Sequence, residues 1–228
     1  MRIAASSRAR GRIPEGANPA YMCVLVTGFE PFGGQSANPS AQVALALHGR
    51  VLEGRKVIGA VLPCVFDVSV AKLKHLLRVH KPELVLCLGQ AGGRWAISLE
   101  RIAINVDDAC LADNAGAAPI DEPVVAGGPA AYWATLPIKA VARALSQAGI
   151  PAEVSQTAGT FVCNHLFYAL MHALRRGKAR GGFIHVPFLP EQGSPSMILA
   201  EMIRGIEIAI AITLATREDL RAGGGATH

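Results

Sequence analysis

The chain has 228 residues, 51% of them hydrophobic and 17% charged, which is enough apolar material for one large core in a single globular domain. The formal charge is +5, but four arginines and one glutamate place +3 of it in the first 21 residues. The remainder has no basic stripe interleaved with aromatic residues, so we expect no nucleic-acid partner. The most apolar run, "IEIAIAITLA", is shorter than the roughly 20 residues of a membrane-spanning helix, so we expect no membrane anchor.

The five cysteines are widely scattered, mostly within apolar runs. Their spacing fits neither a disulfide framework nor a zinc site, which needs close pairs of cysteines. We therefore expect a reducing, cytoplasmic compartment and no metal or other cofactor. The cysteines are Cys23, Cys64, Cys87, Cys110 and Cys163.

The chain divides into a body and two terminal segments. Residues 1–21 show no apolar periodicity and are predicted to be a disordered extension, ahead of a hydrophobic strand that follows Met22. The glycine-rich end, residues 217–228, is also predicted to be disordered. The single domain is expected to span residues 22–216.

Short apolar runs alternate with amphipathic segments from Met22 onwards. Strands are predicted at "CVLVTG", "KVIGAVLP" and "ELVLCLG", with helices at "PSAQVALALHG" and "DVSVAKLKHLLRVH" between them. One strand is predicted over the whole of "ISLERIAINV", and a long irregular excursion follows at residues 107–135, of a length typical of functional loops. The last third repeats the alternation with a helix, the strand "AEVSQ", a helix after Cys163, the strand "GGFIHVPF" and a long final helix. This pattern predicts an α/β fold with a parallel sheet covered on both faces.

Cys163 lies where a small, flexible stretch meets a helix that is marked by Leu166, Leu170 and Leu174 at every fourth position. A buried cysteine is most often a small core residue. At the start of a helix, however, free backbone N–H groups and the positive end of the helix dipole favour the thiolate. Cys163 is therefore a candidate nucleophile.

A cysteine nucleophile needs a base within hydrogen-bond reach, and three histidines are candidates. His165 lies two positions along the same helix and points about 200° away from Cys163, while His172 lies more than two turns further on. His185 ends a predicted strand, and open α/β sheets form their sites at the carboxyl ends of strands. A purely structural role for His185 stays open on this ground.

Glu100 offers a carboxylate that could orient such an imidazole. In the predicted strand "ISLERIAINV", alternation places Glu100 on a face with three apolar side chains, where a carboxylate needs a partner. That partner is either the histidine or a nearby arginine, Arg101 or Arg94. Spacing alone does not decide between them.

Two glycine-rich stretches, "TGFEPFGGQSANPS" and "LGQAGGRW", each follow a strand. A nucleotide-binding module is an alternative, but neither stretch matches a dinucleotide or P-loop fingerprint. Asn38 followed by Pro39 predicts the N-cap and first residue of a helix. The first stretch also contains Phe29 and Phe32, and loops seldom carry two phenylalanines unless something apolar sits between them.

Five motifs resemble, in the right order, the pyroglutamyl peptidase I family, also called pyrrolidone carboxyl peptidases: "VTGFEPFGGQSANPS", "GQAGGR", "ISLERIAIN", "TAGTFVCNHLFY" and "FIHVPFLPEQ". The similarity extends from about Met22 to the last helix. It implies a single-domain, three-layer α/β/α sandwich with a mostly parallel twisted sheet, and a homo-oligomer, commonly a dimer or tetramer. It also implies a thiol peptidase without a metal that removes the N-terminal pyroglutamyl residue from small peptides.

The resemblance implies a catalytic triad. Cys163 would be the nucleophile, His185 the general base and acid, and Glu100 the group that orients His185.

The resemblance also implies a substrate pocket. Phe29 and Phe32 would pack on the lactam ring, and Asn38 and Gln90 would line the same pocket. Pyroglutamate has no charged amine, so its pocket needs apolar walls and a few polar groups for the lactam N–H and C=O.

One position departs from the family pattern. Ten residues after the catalytic glutamate, in a segment resembling "DARIPDN", the family usually carries an arginine that helps to stabilise the oxyanion. Here the segment is "DACLADN" and the position is Cys110. The alternative to a working peptidase is therefore a protein that binds pyroglutamyl peptides with weak or no turnover.

Overall fold

A computed structural model describes residues 23–225. Within this range the chain forms a seven-stranded sheet, a two-stranded sheet and five α-helices. The strands are β1 (Cys23–Phe29), β2 (Val51–Leu52), β3 (Arg55–Leu62), β4 (Leu84–Gln90), β5 (Ile97–Glu100), β6 (Ile102–Ile104), β7 (Ala131–Trp133), β8 (Ala152–Ser155) and β9 (Arg180–Val186). The helices are α1 (Pro39–Leu47), α2 (Phe66–His80), α3 (Ile138–Gln147), α4 (Val162–Leu174) and α5 (Leu199–Ala215). The predicted extension, residues 1–21, lies outside the described residues.

The large sheet has the strand order β2-β3-β1-β4-β9-β5-β8. Its four neighbouring strands β3, β1, β4 and β9 are parallel. β5 and β8 are parallel to each other but antiparallel to β9, and the short β2 is antiparallel to β3. The predicted α/β fold with a mostly parallel sheet is confirmed, and the reversed pair β5 and β8 is what the sequence pattern did not indicate.

Alternate side chains of the central strands enter two separate cores. Val24 and Val26 of β1 belong to the core that is shared with α1, α3 and α5, whereas Leu25 belongs to the core that is shared with α2 and α4. Strands buried on both faces appear in the sequence as continuous apolar runs. The result is the expected three-layer sandwich. None of the helices within residues 23–225 is long and apolar enough to cross a membrane.

The single strand predicted over "ISLERIAINV" is wrong, because the chain changes sheets at Arg101. β5 ends at Glu100, and the backbone N–H of Arg101 donates to the carbonyl of Ser155 beside β8. β6 then pairs with β7, a strand inside the predicted irregular excursion. Glu100 therefore does not share a strand face with Ile102 and Ile104.

Part of the segment after α5, which is predicted to be disordered, makes polar contacts with the rest of the chain. The carboxylate of Asp219 accepts hydrogen bonds from the backbone N–H groups of Lys139 and Ala140, at 3.1 and 2.9 Å. Lys139 Nζ donates to the carbonyl of Ala222, and Arg101 Nη2 donates to the carbonyl of Gly224. The segment returns to the start of α3 and is held there by polar contacts.

Candidate active site

The carboxyl ends of β1, β4 and β9 meet at one edge of the large sheet, because the three strands are adjacent and parallel. Open α/β sheets place their sites at this edge. Phe29 ends β1, Gln90 ends β4, and His185 is the last residue but one of β9. α4 begins here too, because Cys163 lies against Gly89 of β4.

His185 and Glu100 form a buried pair across two antiparallel strands. Ser98 pairs with His185, so Glu100 lies diagonally opposite the histidine on the same face of the sheet. His185 Nδ1 is 2.7 Å from Glu100 Oε1, and the exposed fractions are 4% for His185 and 0% for Glu100. An ionised carboxylate can only accept a hydrogen bond, so Nδ1 carries a proton and donates the hydrogen bond. Nε2 is then the basic nitrogen of the ring.

Arg94 contacts the same carboxylate oxygen. Its Nη1 donates to Glu100 Oε1 at 2.7 Å, and its Nη2 donates to the carbonyl of Thr157 at 3.2 Å. The other oxygen, Oε2, is buried and has no hydrogen-bond partner among the described residues. The sequence left open whether a histidine or an arginine pairs with Glu100. The structure brings both to it, and Arg94, not Arg101, is the arginine.

Cys163 is the second residue of α4 and is half-buried. Its sulfur lies over Gly89, where an added Cβ atom would be 2.9 Å from Sγ. Gly89 pairs with His185 on the neighbouring strand, about 4.8 Å away in a sheet. A side chain at position 89 would therefore occupy the space in which the thiol lies, on the face of the sheet that carries His185. A glycine inside a strand often marks such a close approach, so Gly89 is itself a sequence signal for this site.

Burial raises the pKa of the Cys163 thiol; Cys64 and Glu100 raise it further, while Arg94 opposes the shift. This direction is opposite to the expectation that the start of the helix favours the thiolate, because removal of the thiol from water disfavours its charged form. A thiol with a raised pKa needs a base to become a nucleophile. No side chain caps α4 at Phe161, so side chains do not occupy the free N–H groups of the first turn.

The other two histidines have different partners. His165 Nδ1 is 2.7 Å from Asp107 Oδ2, and both residues are buried. These two residues help to line a cavity of about 420 Å³ beside α2. His172 Nδ1 is 2.9 Å from the hydroxyl of Tyr132. Both imidazole rings therefore have polar partners other than Cys163.

The residues expected in the substrate pocket lie at the same edge but differ in exposure. Phe32 is half-buried, with its ring centroid 6.0 Å from that of Phe161. Phe29 is 2% exposed and belongs to the core, and Gln90 is 8% exposed. Phe32 is thus the phenylalanine that has open space beside it.

Asn38 is 2% exposed, and its amide is engaged within the protein. Its Oδ1 accepts from the backbone N–H and the hydroxyl of Ser40, as the predicted N-cap of α1. Its Nδ2 donates to the carbonyl of Glu30 at 3.1 Å. Asn38 therefore holds the loop that carries Phe32.

Two further residues at this edge were missed by the sequence analysis. Asn164, next to Cys163, accepts from the backbone N–H of Ile104 and donates to its carbonyl, at 3.0 and 2.9 Å, and so fixes α4 against β6. Gln192 joins its own loop after β9 to the loop between β1 and α1 and to Gln90 at the end of β4. Both lie within motifs that carry the family resemblance, but a lone amide residue has no periodic pattern that predicts its role.

The arrangement offers a thiol, an imidazole with a free nitrogen, and a carboxylate that orients the imidazole. Such a set can perform nucleophilic acyl transfer. Within residues 23–225, no group of three or more His, Cys, Asp or Glu side chains could hold a metal ion.

Comparison with known proteins identifies the family. A family model described as pyroglutamyl peptidase matches residues 22–216. A pyrrolidone-carboxylate peptidase of Erwinia tasmaniensis is 57% identical over 210 residues, which cover 90% of this chain and 99% of that protein. The crystal structure of the pyroglutamyl peptidase I from Bacillus amyloliquefaciens has a TM-score of 0.86 at 44% identity, covering 88% of this chain and 98% of that one. A pyrrolidone carboxyl peptidase from Thermococcus litoralis has a TM-score of 0.86 at 39% identity, with the same coverage. This chain belongs to the pyroglutamyl peptidase family.

Proposed function

We propose that the protein is a cysteine-type omega-peptidase that hydrolyses the bond after an N-terminal pyroglutamyl residue of small peptides. In this proposal Cys163 is the nucleophile, His185 is the general base and acid, and Glu100 orients His185. The observation that carries it is the 2.7 Å contact between His185 and Glu100, beside a thiol that lies over the strand partner of His185.

In the first half of the reaction, His185 Nε2 takes the proton of the Cys163 thiol as sulfur attacks the carbonyl carbon of the pyroglutamyl residue. A base is required because burial raises the pKa of the thiol. Backbone N–H groups at the uncapped start of α4 are suited to receive the developing oxyanion. The imidazolium then gives its proton to the departing amine, so the C–N bond breaks and a thioester remains on Cys163.

In the second half, water attacks the thioester. His185 Nε2 takes a proton from the water, and the C–S bond breaks as free pyroglutamate leaves. The proton returns to the sulfur, so the enzyme regains its starting state. Glu100 stays ionised throughout, because its role is to hold Nδ1–H and to balance the imidazolium charge.

Two side chains at this edge suit recognition of a neutral ring in the proposed pocket. Phe32 offers an apolar wall, and Gln90 offers a polar group that can pair with the lactam. A free glutamate would have to bury its charges in this pocket, which is unfavourable without partners. This chemistry selects the lactam over the open amino acid.

The proposal extends to the setting of the enzyme. We expect a homo-oligomer, a dimer or tetramer, as the family resemblance implies. All five cysteines are free, which suits a reducing cytoplasm.

A second candidate function is supported by Cys110, which replaces an arginine that the family usually carries. It is a protein that binds pyroglutamyl peptides with weak or no turnover. The two functions differ in one measurable quantity, the turnover number on a substrate that is shown to bind.

The test is steady-state cleavage of a fluorogenic pyroglutamyl amide, with a thiol reductant present. We expect cleavage by the unmodified protein, loss of cleavage after iodoacetamide, and loss in Cys163→Ala with unchanged folding. Cys23→Ser is the matched control, because a hydroxyl can replace the thiol that donates to the carbonyl of His80. Full activity in Cys163→Ala would overturn the triad. Tight binding of a pyroglutamyl peptide without measurable turnover would favour the second function.

A further inference from the structure

A cavity of about 420 Å³ lies beside the start of α2, and no member of the proposed triad lines it. Its polar lining consists of three carboxylates and the imidazole of His165, and no lysine or arginine of the described chain contributes to it. The carboxylates belong to Asp67, Asp107 and Glu122. The apolar part of the lining comes from Phe66, Ala117, Ala118, Pro119, Pro123 and Val124.

His165 is buried, but one of its ring nitrogens has no partner. The residue is 5% exposed, and its Nδ1 is 2.7 Å from Asp107 Oδ2. Nδ1 therefore carries a proton and donates it to the carboxylate. Nε2 makes no hydrogen bond to any described residue, because Asp67 Oδ1 is 3.9 Å away, beyond hydrogen-bond distance. In the neutral ring, Nε2 is thus an acceptor with a free lone pair.

The position of Nε2 makes this acceptor reachable from the cavity. The opposite side of the ring is occupied by Asp107, while Nε2 faces Asp67, an exposed residue that lines the same cavity. Asp107 Oδ1 is sealed from solvent without a partner, whereas Nε2 is not among the sealed atoms. Polar atoms of buried residues usually have a partner, so a ligand in the cavity would supply the one that Nε2 lacks.

The charges around the cavity favour a cation. Asp107 carries a buried negative charge, and the exposed Asp67 and Glu122 add two more. The start of α2 would attract an anion, but Asp113 already supplies one, because its Oδ2 accepts from the backbone N–H of Phe66 at 3.1 Å. A second anion would be repelled by the surrounding carboxylates, whereas a cation would be attracted.

We propose that this cavity binds a primary alkylammonium group, from either a free amine or the lysine side chain of a peptide. An ammonium has three N–H donors and no acceptor, which matches His165 Nε2 and the carboxylates of Asp67 and Glu122. Its alkyl chain would contact the apolar lining, including the ring of Phe66. In the described part of the chain, no His, Cys, Asp and Glu side chains are grouped as metal ligands, so an organic cation fits better than a metal ion.

The test is calorimetric binding of pentylamine to the full chain at low ionic strength, with N-acetyl-lysine amide as the second ligand. Pentyltrimethylammonium has the same charge and chain but no N–H donor, so it should bind at least about tenfold more weakly. Added salt should weaken the binding of pentylamine, because exposed carboxylates are screened. Binding of either amine that depends on His165 supports the site, and the tighter of the two identifies the source.

His165→Asn is the decisive variant. The asparagine amide nitrogen takes the place of Nδ1 and can still donate to Asp107, whereas Nε2 is lost. We expect pentylamine to bind at least about tenfold more weakly to this variant. Asp67→Asn and Glu122→Gln, at exposed positions, should each weaken binding about two- to fivefold. Glu201→Gln removes an exposed charge from α5 and is the control that should leave binding unchanged.

Nuclear magnetic resonance of isotope-labelled histidine locates the bound amine. We expect pentylamine to shift the Nε2 signal of His165, which is assigned by its absence in His165→Asn. The proposal would be overturned by lack of saturable binding, by an unchanged Nε2 signal, or by equal binding of pentyltrimethylammonium. Tighter binding of Zn²⁺ than of pentylamine at this ring would also overturn it. If His165→Asn does not fold, unchanged affinity in the double variant of Asp67→Asn and Glu122→Gln is the contradicting result.

Discussion

Arg94 and His185 share one oxygen of Glu100, and this sharing determines the charge balance of the site. Before reaction, the arginine and the carboxylate neutralise each other beside a neutral imidazole and a neutral thiol. When the proton moves from Cys163 to His185, the charges of the four groups alternate: Arg94 is positive, Glu100 negative, the imidazole positive and the sulfur negative. A buried carboxylate without the arginine would oppose the thiolate, so Arg94 is expected to make ionisation of Cys163 easier.

Arg94→Met should therefore raise the pKa of the Cys163 thiol above its already raised value. The sign follows from the two charges: Arg94 lowers this pKa and Glu100 raises it, so removing the arginine leaves the unfavourable charge. We expect alkylation of Cys163 by iodoacetamide at pH 7 to slow about tenfold, which is one pKa unit, and its pH profile to move upwards. Mass analysis of the peptide that carries Cys163 measures the rate separately from the exposed Cys110.

The controls for Arg94 separate charge from packing. Arg94→Lys keeps the charge and should recover part of the alkylation rate, whereas Arg143→Met removes a charge from an exposed position of α3 and should change nothing. An unchanged pH profile in folded Arg94→Met would show that the arginine does not act on the thiol.

Cys110 is exposed, and its loop is tied through Asp108 to the segment that leads into α4. The backbone N–H of Asp108 donates to the carbonyl of Thr160, and the hydroxyl of Thr160 donates back to the carbonyl of Asp108, at 3.0 and 2.7 Å. Thr160 is three residues before Cys163. The backbone two residues before position 110 is therefore held by hydrogen bonds next to the start of α4.

Cys110→Arg should raise kcat on a pyroglutamyl amide by about tenfold or more, with a smaller change in KM. A guanidinium supplies a donor to the oxyanion that a thiol cannot match, and one such donor commonly contributes about 10² to 10³ in turnover. Cys110→Met, of similar length without charge, is the control and should not increase kcat. A folded Cys110→Arg with equal or lower kcat would mean that other groups already stabilise the oxyanion.

At the scale of elements, the buried strands and amphipathic helices could be predicted because each is decided locally. β1, β4 and β9 are continuous apolar runs, and Asn38 with Pro39 marks the start of α1. The break at Arg101 could not be predicted, because apolar alternation continues through it while the partner strand changes from β8 to β7. The three-residue β7 is too short for a periodic pattern.

In the candidate site, too, local features could be predicted from the sequence and contacts between distant residues could not. The helix start at Cys163 and the strand end at His185 are local features, and both were predicted. The contact between His185 and Glu100 joins residues 85 positions apart and depends on β5 running antiparallel to β9. No pattern within either segment reports that direction, so before the structure only the resemblance to a family connected them.

At the scale of the whole molecule, the segment after α5 closes the chain onto its own layer of helices. α3 and α5 share one core, and the chain leaving α5 returns to the first turn of α3. Pro137, the residue before α3, has no side-chain hydrogen bond to cap that helix. Asp219, about 80 positions further along the chain, accepts hydrogen bonds from the backbone N–H groups of Lys139 and Ala140 instead.

Asp219→Ala should therefore lower the free energy of unfolding by about 1 kcal/mol, as loss of an N-cap does. For a chain of 228 residues this corresponds to a fall in Tm of about 2–4 °C, measured by calorimetry. Asp219→Asn keeps one of the two acceptor oxygens and should lose less than Asp219→Ala, because one hydrogen bond to the helix start remains while the other and the favourable charge are removed. Glu218→Ala, an exposed neighbour, should leave Tm unchanged. Removing residues 218–228 should cost at least as much as Asp219→Ala, because the contacts of Ala222 and Gly224 go as well. A truncated chain with the Tm of the full chain would show that the segment only rests on the surface.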